Sequence, residues 1–210
     1  MKHHHKSMLK LISKYVRRPA SGAEIGVYLG ATAAIIHSVW PQCKLLLVDP
    51  WAETDPDDTY RIGGGKMGRF AQSDWDEVYT TAMHNIACSP GPSVVWRMTS
   101  ATAAAKAEDD SLDFVFIDAD HTYEGTRQDI QLWLPKCRGL IMGHDYDGKG
   151  DRAGVWGVKQ AVDQAFGVEN VYRRRGHIWA YLLPRRWRPR RAAIKTALAR
   201  LSEPMEAVVQ

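Results

Sequence analysis

The chain has 210 residues, 45% of them hydrophobic and 25% charged, with a formal net charge of +4. This length and balance predict one globular domain with a sizeable core. No apolar run approaches the roughly 18 to 20 residues that span a bilayer, and the start lacks a signal-peptide pattern, so we expect a cytoplasmic protein. Cys43, Cys88 and Cys137 match neither a disulfide framework nor a zinc motif, and we interpret them as reduced thiols.

Short apolar runs alternate with helical segments, a pattern typical of βα units around a parallel sheet. After an opening helix at residues 8–17, the predicted strands are "AEIGVYLG", "KLLLVDPW", "SVVWRM", "LDFVFID" and "GLIMGHD". The predicted helices between and after them are "ATAAIIHSVW", "WDEVYTTAMHNIA" with Ser73 or Asp74 as its cap, "ATAAAKAE", "TYEGTRQDIQLWLPKC" and "VWGVKQAVDQAF". A hairpin through Gly176 then joins "VYRRR" to "HIWAYLL".

The predicted fold class is α/β, a three-layer, doubly wound, mostly parallel sheet with an antiparallel strand near the C-terminus. Residues 1–184 form a single domain. Within it, residues 52–74 are first acidic and then glycine-rich, which indicates a lid or an insertion with Lys66 and Arg69 able to close over ligands. Residues 185–210 form a basic tail with a short helix.

Charge and histidine are concentrated at the two ends of the chain. Residues 185–210 carry 7 of the 28 Lys and Arg and 2 of the 24 acidic residues, a local charge of +5 that leaves −1 for the rest. Such a tail attracts nucleic acid or an anionic surface, or is a solvated extension. The "HHH" run at residues 3–5 either chelates a metal or is a tag remnant or solvated terminus.

The first strand leads into Glu24-x-Gly26-x-x-x-Gly30. Ligands of open α/β sheets bind at such strand ends, and glycine allows a close approach of the backbone. The spacing differs from the phosphate-binding Gly-x-Gly-x-x-Gly, and the acidic residue suits a ligand with ammonium or hydroxyl groups. The alternative is a tight turn without a ligand. Asp49 ends the second strand, where a carboxylate accepts from ribose hydroxyls, so a nucleoside ligand is indicated.

From residue 20 to residue 170 the chain resembles the class I S-adenosylmethionine-dependent methyltransferases. The segments "FIDADHTYEG", "GLIMGHDY" and "GVKQAV" are similar to a metal-assisted small-molecule O-methyltransferase subgroup, related to macrolide-sugar methyltransferases and cephalosporin-hydroxylase-type proteins. The residues that this resemblance implies for the cofactor are Glu24, Gly26 and Gly30 at methionine and ribose, Asp49 at the ribose hydroxyls, Ser100 near the adenine, and Asp118.

The fourth and fifth strands end in a second group of polar residues. Asp118, His144 and Asp145 reach the same sheet edge and are suited to bind a divalent cation. The carboxylates favour Mg²⁺, and Mn²⁺, Zn²⁺ and Fe²⁺ are alternatives. Such an ion lowers the pKa of a substrate hydroxyl and orients a vicinal diol. His121 follows Asp118 by three residues, and its near-neutral pKa suits a general base. The resemblance supports this role, since related sugar methyltransferases have a catalytic histidine in an Asp-x-x-His arrangement.

Two of these assignments have structural alternatives. Asp120 is better suited to cap the next helix than to bind the ion, and His144 either ligates the ion or hydrogen-bonds a loop. Many relatives have two adjacent acidic residues where this chain has His144 and Asp145. In the loop after the fifth strand, Lys149, Arg152 and Trp156 are candidates for shaping an acceptor pocket.

Taken together, these features predict an enzyme that transfers a methyl group from S-adenosylmethionine to a hydroxyl of a sugar or natural-product scaffold. Asp118 and His121 are its predicted catalytic residues. One alternative is a nucleic-acid methyltransferase that uses the basic tail, although an Asn/Asp-Pro-Pro-Tyr-like motif is missing from the sequence. Another is a non-catalytic module that binds the cofactor or a nucleotide. The opening helix and the terminal segment are candidate surfaces for a homodimer.

Overall fold

A computed structural model describes the protein at residues 2–55, 67–149, 151, 154–184 and 187–203, without the side chains of residues 187 and 188. Within these residues, seven strands form one sheet: β1 (Ser21–Ile25), β2 (Lys44–Asp49), β3 (Ser93–Arg97), β4 (Leu112–Ile117), β5 (Cys137–Gly143), β6 (Tyr172–Arg174) and β7 (Ile178–Leu182). The described helices are α1 (His3–Tyr15), α2 (Ala31–Val39), α3 (Gln72–Ala87), α4 (Ser100–Lys106), α5 (Tyr123–Trp133), α6 (Val158–Phe166) and α7 (Trp187–Ser202), with 3-10 turns at Met67–Arg69 and Val168–Asn170.

The strand order β3-β2-β1-β4-β5-β7-β6 defines the topology. Neighbouring strands from β1 to β5 pair in parallel, whereas β7 pairs antiparallel with β5 and with β6. The chain winds outward from β1 in one direction and from β4 in the other, so the order reverses between these two strands. Ligands of open α/β sheets bind at such a reversal.

Helices cover both faces of the sheet and make the three predicted layers. Phe114 and Phe116 of β4 point into a core shared with α1, α2 and α3, whereas Val115 and Ile117 point into a core shared with the helices from α4 to α7. This alternation follows from the two-residue period of a strand, and burial on both faces explains why the parallel strands are almost continuously apolar. The predicted fold class is confirmed.

Several predicted boundaries move once the tertiary structure is known. Helix α1 begins at His3, five residues before the predicted start. Helix α3 begins at Gln72, and its N-cap is Ala71, so the prediction of Ser73 or Asp74 as the cap is wrong. Asp74 lies instead in the first turn, where its carboxylate accepts the Ala71 N–H at 3.0 Å.

The C-terminal basic segment is more structured than predicted. Its helix α7 has 16 residues, and Ala197 and Leu201 are buried in the core below α5 and α6. Arg127 of α5 donates to the Leu201 carbonyl at 3.0 Å. The helical part of the tail therefore packs onto the domain and is not a solvated extension.

The middle of the predicted lid, residues 52–74, falls at positions 56–66, which lie outside the described residues. Lys66 is among these positions, and Arg69 is exposed in the first 3-10 turn. None of the described helices combines the length and apolar character that a bilayer crossing requires.

Candidate active site

The first part of the candidate site is the turn between β1 and α2. Gly26 has a φ of 86° and Gly30, the N-cap of α2, a φ of 74°, both in the left-handed region that favours glycine. A Cβ at Gly26 would also lie 2.2 Å from the carbonyl oxygen of Asp118. The Asp118 N–H donates to the Ile25 carbonyl at 2.8 Å. The turn thus packs directly on the end of β4, which connects the two predicted halves of the site.

Asp49, at the end of β2, fixes the shape of this turn. Its Oδ2 accepts the backbone N–H groups of Val27 and Tyr28, each at 2.9 Å, and its Oδ1 accepts that of Trp51 at 2.8 Å. Burial raises the pKa of Asp49, whereas these three donors lower it. A carboxylate has about four acceptor positions, so one remains for another donor. The contact of Asp49 with ribose stays a prediction.

Glu24 is a buried acid beneath the same turn, with 2% of its surface exposed. Burial raises the pKa of Glu24 well above its usual range; a hydrogen bond from Thr32 opposes the shift, and the charges of Asp118 and Asp49 add to it. Among the described residues, no group hydrogen-bonds its Oε2. A buried acceptor without a donor fits a ligand that brings an ammonium or hydroxyl group.

Ser100, at the start of α4, faces helix α5. Its Oγ donates to the carboxylate of Asp129 and accepts the Trp133 indole N–H at 2.8 Å. Burial raises the pKa of Asp129 to about 7. The hydrogen bond from Ser100 lowers this pKa, and the negative charge of Asp120 raises it by a smaller amount. The Ser100 hydroxyl is therefore engaged within the protein, and its position near an adenine stays a prediction.

The second part of the site brings three predicted residues together at the ends of β4 and β5. Asp118, His121 and Asp145 each offer a ligand atom within 4.8 Å of the others. His121 Nε2 lies 3.0 Å from Asp145 Oδ2 and 3.5 Å from Asp118 Oδ1. Asp145 has a φ of 56°, an uncommon conformation for a residue with a side chain and one that clusters at functional sites.

His144 joins this group through one nitrogen. Its Nδ1 lies 2.9 Å from Asp145 Oδ2 and 3.7 Å from Asp118 Oδ1. No described group hydrogen-bonds its buried Nε2. The described residues whose donor atoms lie close enough together to hold a divalent metal are Asp118, His121 and Asp145, and His144 contacts this group through Asp145. The predicted metal ligands Asp118, His144 and Asp145 are adjacent in the fold, and their binding of a metal stays a prediction.

The two carboxylates dominate the electrostatics of the group. Burial alone would lower the pKa of His121, but hydrogen bonds and negative charge from Asp118 and Asp145 raise it to about 9. Asp145 is buried too, yet its contacts with His121 and His144 hold its pKa well below the usual range. The raised pKa values of His121 and His144 and the lowered pKa of Asp145 favour charged imidazoles paired with the carboxylates, so a divalent metal would have to displace the imidazole protons.

Asp120 does not face this group. Its Oδ1 accepts the Thr122 N–H at 2.8 Å, and Thr122 is the N-cap of α5, with its hydroxyl accepting the Gly125 N–H at 3.0 Å. The prediction that Asp120 caps the helix is wrong, because the N-cap is Thr122, and Asp120 instead accepts the backbone N–H of that cap.

The loop after β5 covers His121 from one side. The Trp156 ring lies 4.5 Å from the His121 ring, centroid to centroid, and the Gly157 N–H donates to the His121 carbonyl at 2.8 Å. Lys149 Nζ lies 3.7 Å from Asp147 Oδ2, and Arg152 lies outside the described residues. Of the predicted acceptor-pocket residues that the structure describes, Trp156 is the one beside the imidazole.

Residues 23–146, more than half of the chain, match the family described as a methyltransferase domain. The chain belongs to this methyltransferase family. The match covers every residue predicted for the cofactor, the metal or catalysis, and it confirms the prediction of a methyltransferase. The comparison with curated proteins finds no match.

Solved structures share the fold of this methyltransferase at low sequence identity. A candidate O-methyltransferase from Klebsiella pneumoniae has a TM-score of 0.57 and 17% identity, with 87% of this chain and 81% of that chain covered. An O-methyltransferase from Bacillus cereus in complex with SAH has a TM-score of 0.53 and 12% identity, with 85% and 80% covered. The N-methyltransferase NodS from Bradyrhizobium japonicum has a TM-score of 0.52 and 14% identity, with 86% and 94% covered. The fold is thus compatible with either acceptor atom.

Sequence reasoning missed two residues near the site of this methyltransferase. Asp129 is buried beside Thr126, Ile130 and Trp133 in α5. The helical spacing of these residues in the sequence could have indicated that Asp129 is a buried acid. His5 likewise continues the buried stripe of α1 that includes Met8 and Ile12. His5 is therefore packed against the domain whereas His3 is exposed, so the prediction of a solvated terminus is wrong for His5 and holds for His3.

Proposed function

We propose that the chain is an S-adenosylmethionine-dependent O-methyltransferase that acts on a hydroxyl of a small molecule, a sugar or natural-product scaffold, with the help of a divalent metal. The observation that carries this proposal is the contact between its two half-sites. The backbone of Gly26 lies against that of Asp118, so a ligand over the glycine turn and a ligand at the carboxylates are neighbours.

Glu24 and the glycine turn are proposed to hold the cofactor. The unpartnered Oε2 of Glu24 fits a positively charged or hydroxyl-bearing part of the ligand. Asp49 maintains the turn through its three backbone hydrogen bonds and offers its remaining acceptor position to the ribose. The cofactor would supply an electrophilic methyl group for the acceptor oxygen, with its sulfonium sulfur as the leaving group.

Asp118, His144 and Asp145 are proposed to hold the metal, which supplies Lewis acidity toward an acceptor hydroxyl. His121, whose Nε2 faces both carboxylates, is proposed as the base that takes the hydroxyl proton, and the positive charge of a bound metal would favour the neutral imidazole that this role requires. Trp156 and the loop after β5 limit water access on the side of His121.

The first test is calorimetric titration with S-adenosylmethionine, with and without Mg²⁺, Mn²⁺ and EDTA, followed by labelled-methyl transfer to a panel of vicinal diols. We expect micromolar cofactor binding and metal-stimulated transfer. His121→Ala should lower kcat by about 10²- to 10⁴-fold, the usual contribution of a general base, and leave cofactor affinity unchanged. His84→Ala, on α3 and remote from the group, is the matched control.

Two outcomes would contradict parts of the proposal. Near-wild-type kcat in His121→Ala would remove the base assignment. Cofactor binding without turnover of any acceptor would favour the non-catalytic module instead.

A further inference from the structure

We propose that the outer face of helix α1 docks the protein onto an anionic phospholipid bilayer as a peripheral partner. This α1 basic face consists of exposed side chains in residues 2–18 and in the β6–β7 hairpin: Lys2, Lys6, Lys10, Lys14, Arg17, Arg18, Arg174 and Arg175. It contains none of the residues proposed for the cofactor, the metal or catalysis.

The lysines form a single row because of their spacing. They recur every four residues: Lys2, Lys6, Lys10 and Lys14. Residues four apart lie on one face of a helix, so the row is about 18 Å long. On the opposite face, Leu11 and Ile12 are buried in the core that α1 shares with the sheet. The row therefore points away from the domain and is free to contact another surface.

The charge of the α1 basic face is not neutralised locally. The first acidic residue of the chain is Glu24, so residues 1–23 carry six Lys and Arg and no negative side chain. No acidic residue in the described part of the chain forms an ion pair with the α1 basic face. In the C-terminal segment, by contrast, Arg190 is 8% exposed and lies 2.6 Å from Asp110. An unneutralised positive face attracts anionic surfaces.

The β6–β7 hairpin extends this face on one side of α1. Ser7 Oγ donates to the Arg175 carbonyl at 2.6 Å, and the Tyr15 ring lies 5.3 Å from the Tyr172 ring. These two contacts fix β6 alongside the helix. Arg174 is two residues from Tyr172 on the strand, so both lie on the side of the sheet that α1 covers. The hairpin arginines thus continue the positive surface of the lysine row.

Apolar side chains at its margins favour a bilayer over a nucleic acid. Val39, at the end of α2, is 48% exposed, and Tyr172 is 40% exposed. Val39 also borders a surface cavity of about 330 Å³ that is lined by Leu9, Lys10 and Lys14. Lysines beside apolar and tyrosine side chains suit the lipid headgroup region. Val39 and Leu9 cannot stack on bases, which is how proteins commonly bind single-stranded nucleic acid.

The experiment sediments the full chain with vesicles of phosphatidylcholine, alone or with about one-third phosphatidylglycerol. We expect binding to the anionic vesicles only, and its loss at high salt, because salt screens the attraction. Lys6→Gln/Lys10→Gln should weaken binding by about 30-fold, since each basic residue near an anionic bilayer contributes about fivefold. Val39→Ser should weaken binding by about 3-fold, through the loss of apolar contact, and leave RNA retention unchanged.

Lys106→Gln/Lys195→Gln is the matched control, because it removes the same charge from exposed positions of α4 and α7, on the other face of the sheet. We expect it to bind vesicles as the wild type does. Equal binding to neutral vesicles, equal losses in the two double variants, or retention on RNA without vesicle binding would overturn the inference. Thermal unfolding checks that each variant is folded, and titration of the same samples with S-adenosylmethionine tests the proposed function separately.

Discussion

Buried carboxylates near the site differ in what compensates their burial. Asp49 has three backbone donors, Asp145 has two imidazoles, and Asp129 has the Ser100 hydroxyl. Compensation by a single neutral donor is the weakest of these, which is why the pKa of Asp129 rises to about 7 while that of Asp145 falls.

Asp129 makes stability pH-dependent in a defined direction. Its folded pKa of about 7 lies above the ordinary value of 3.8, so between these values the folded state binds more protons than the unfolded state. The free energy of unfolding therefore falls as pH rises toward 7 and levels off above it. When the pH rises from 5 to 8, the free energy of unfolding of Asp129→Asn should increase by up to about 3 kcal/mol relative to that of the wild type. Urea unfolding at each pH measures this, with exposed Asp109→Asn as control; a pH-independent difference would contradict it.

Asp49→Asn tests the anchor of the glycine turn. An amide places an NH₂ group against at least one of the three backbone donors of Val27, Tyr28 and Trp51, whichever way it is oriented. We expect a loss of about 1 to 3 kcal/mol in the free energy of unfolding, together with weaker cofactor binding. Unchanged stability with lost binding would instead assign Asp49 to the ligand alone.

At the level of elements, the β1–α2 turn is held by two residues in left-handed conformation. Tyr28 has a φ of 51° and Trp51 a φ of 41°, and the Trp51 indole N–H donates to the Tyr28 carbonyl at 2.9 Å. The ends of β1 and β2 are thereby locked to each other. A site that depends on such locked turns is preorganised before a ligand arrives.

Gly26→Ala should disrupt both halves of the site. The substitution introduces left-handed strain of about 1 to 2 kcal/mol and a Cβ 2.2 Å from the Asp118 carbonyl oxygen. Gly148→Ala is a matched control, because Gly148 has a φ of 64° but nothing within 4 Å of its Cβ position. Urea unfolding and cofactor calorimetry should show a larger loss for Gly26→Ala; equal losses would contradict the close packing of the turn on β4.

Over the whole molecule, helix α7 makes the basic tail part of the core. Leu201 is 1% exposed, and Arg190 Nη2 lies 2.6 Å from Asp110 Oδ2. Leu201→Ala should therefore lower the free energy of unfolding by about 2 to 5 kcal/mol, as for other buried leucines. Replacement of the exposed Thr196 by Ala should change it little. A urea midpoint unaffected by Leu201→Ala would show that the helix is independent of the domain.

This packing changes how a nucleic-acid role is tested. Truncation at residue 185 would remove part of the core, so loss of binding after truncation would be ambiguous. Neutralising an exposed charge, as in Lys195→Gln, preserves the core and tests salt-sensitive retention on RNA. The nucleic-acid and homodimer assignments stay predictions. For the homodimer, the apolar face of α1 is already covered by its own domain, because Met8, Leu11 and Ile12 are buried there.

The sequence by itself determined the α/β class, the strands and the clustering of Glu24, Gly26, Asp118 and Asp145 at one sheet edge. These follow from local periodicity and from the rule that parallel strands end on the same side. Only the tertiary structure decided what each side chain contacts: Asp49 with the turn, Ser100 with Asp129, and His121 with Asp145. Such contacts join segments distant in sequence, and the choice among possible donors and acceptors depends on packing distances that no local pattern encodes.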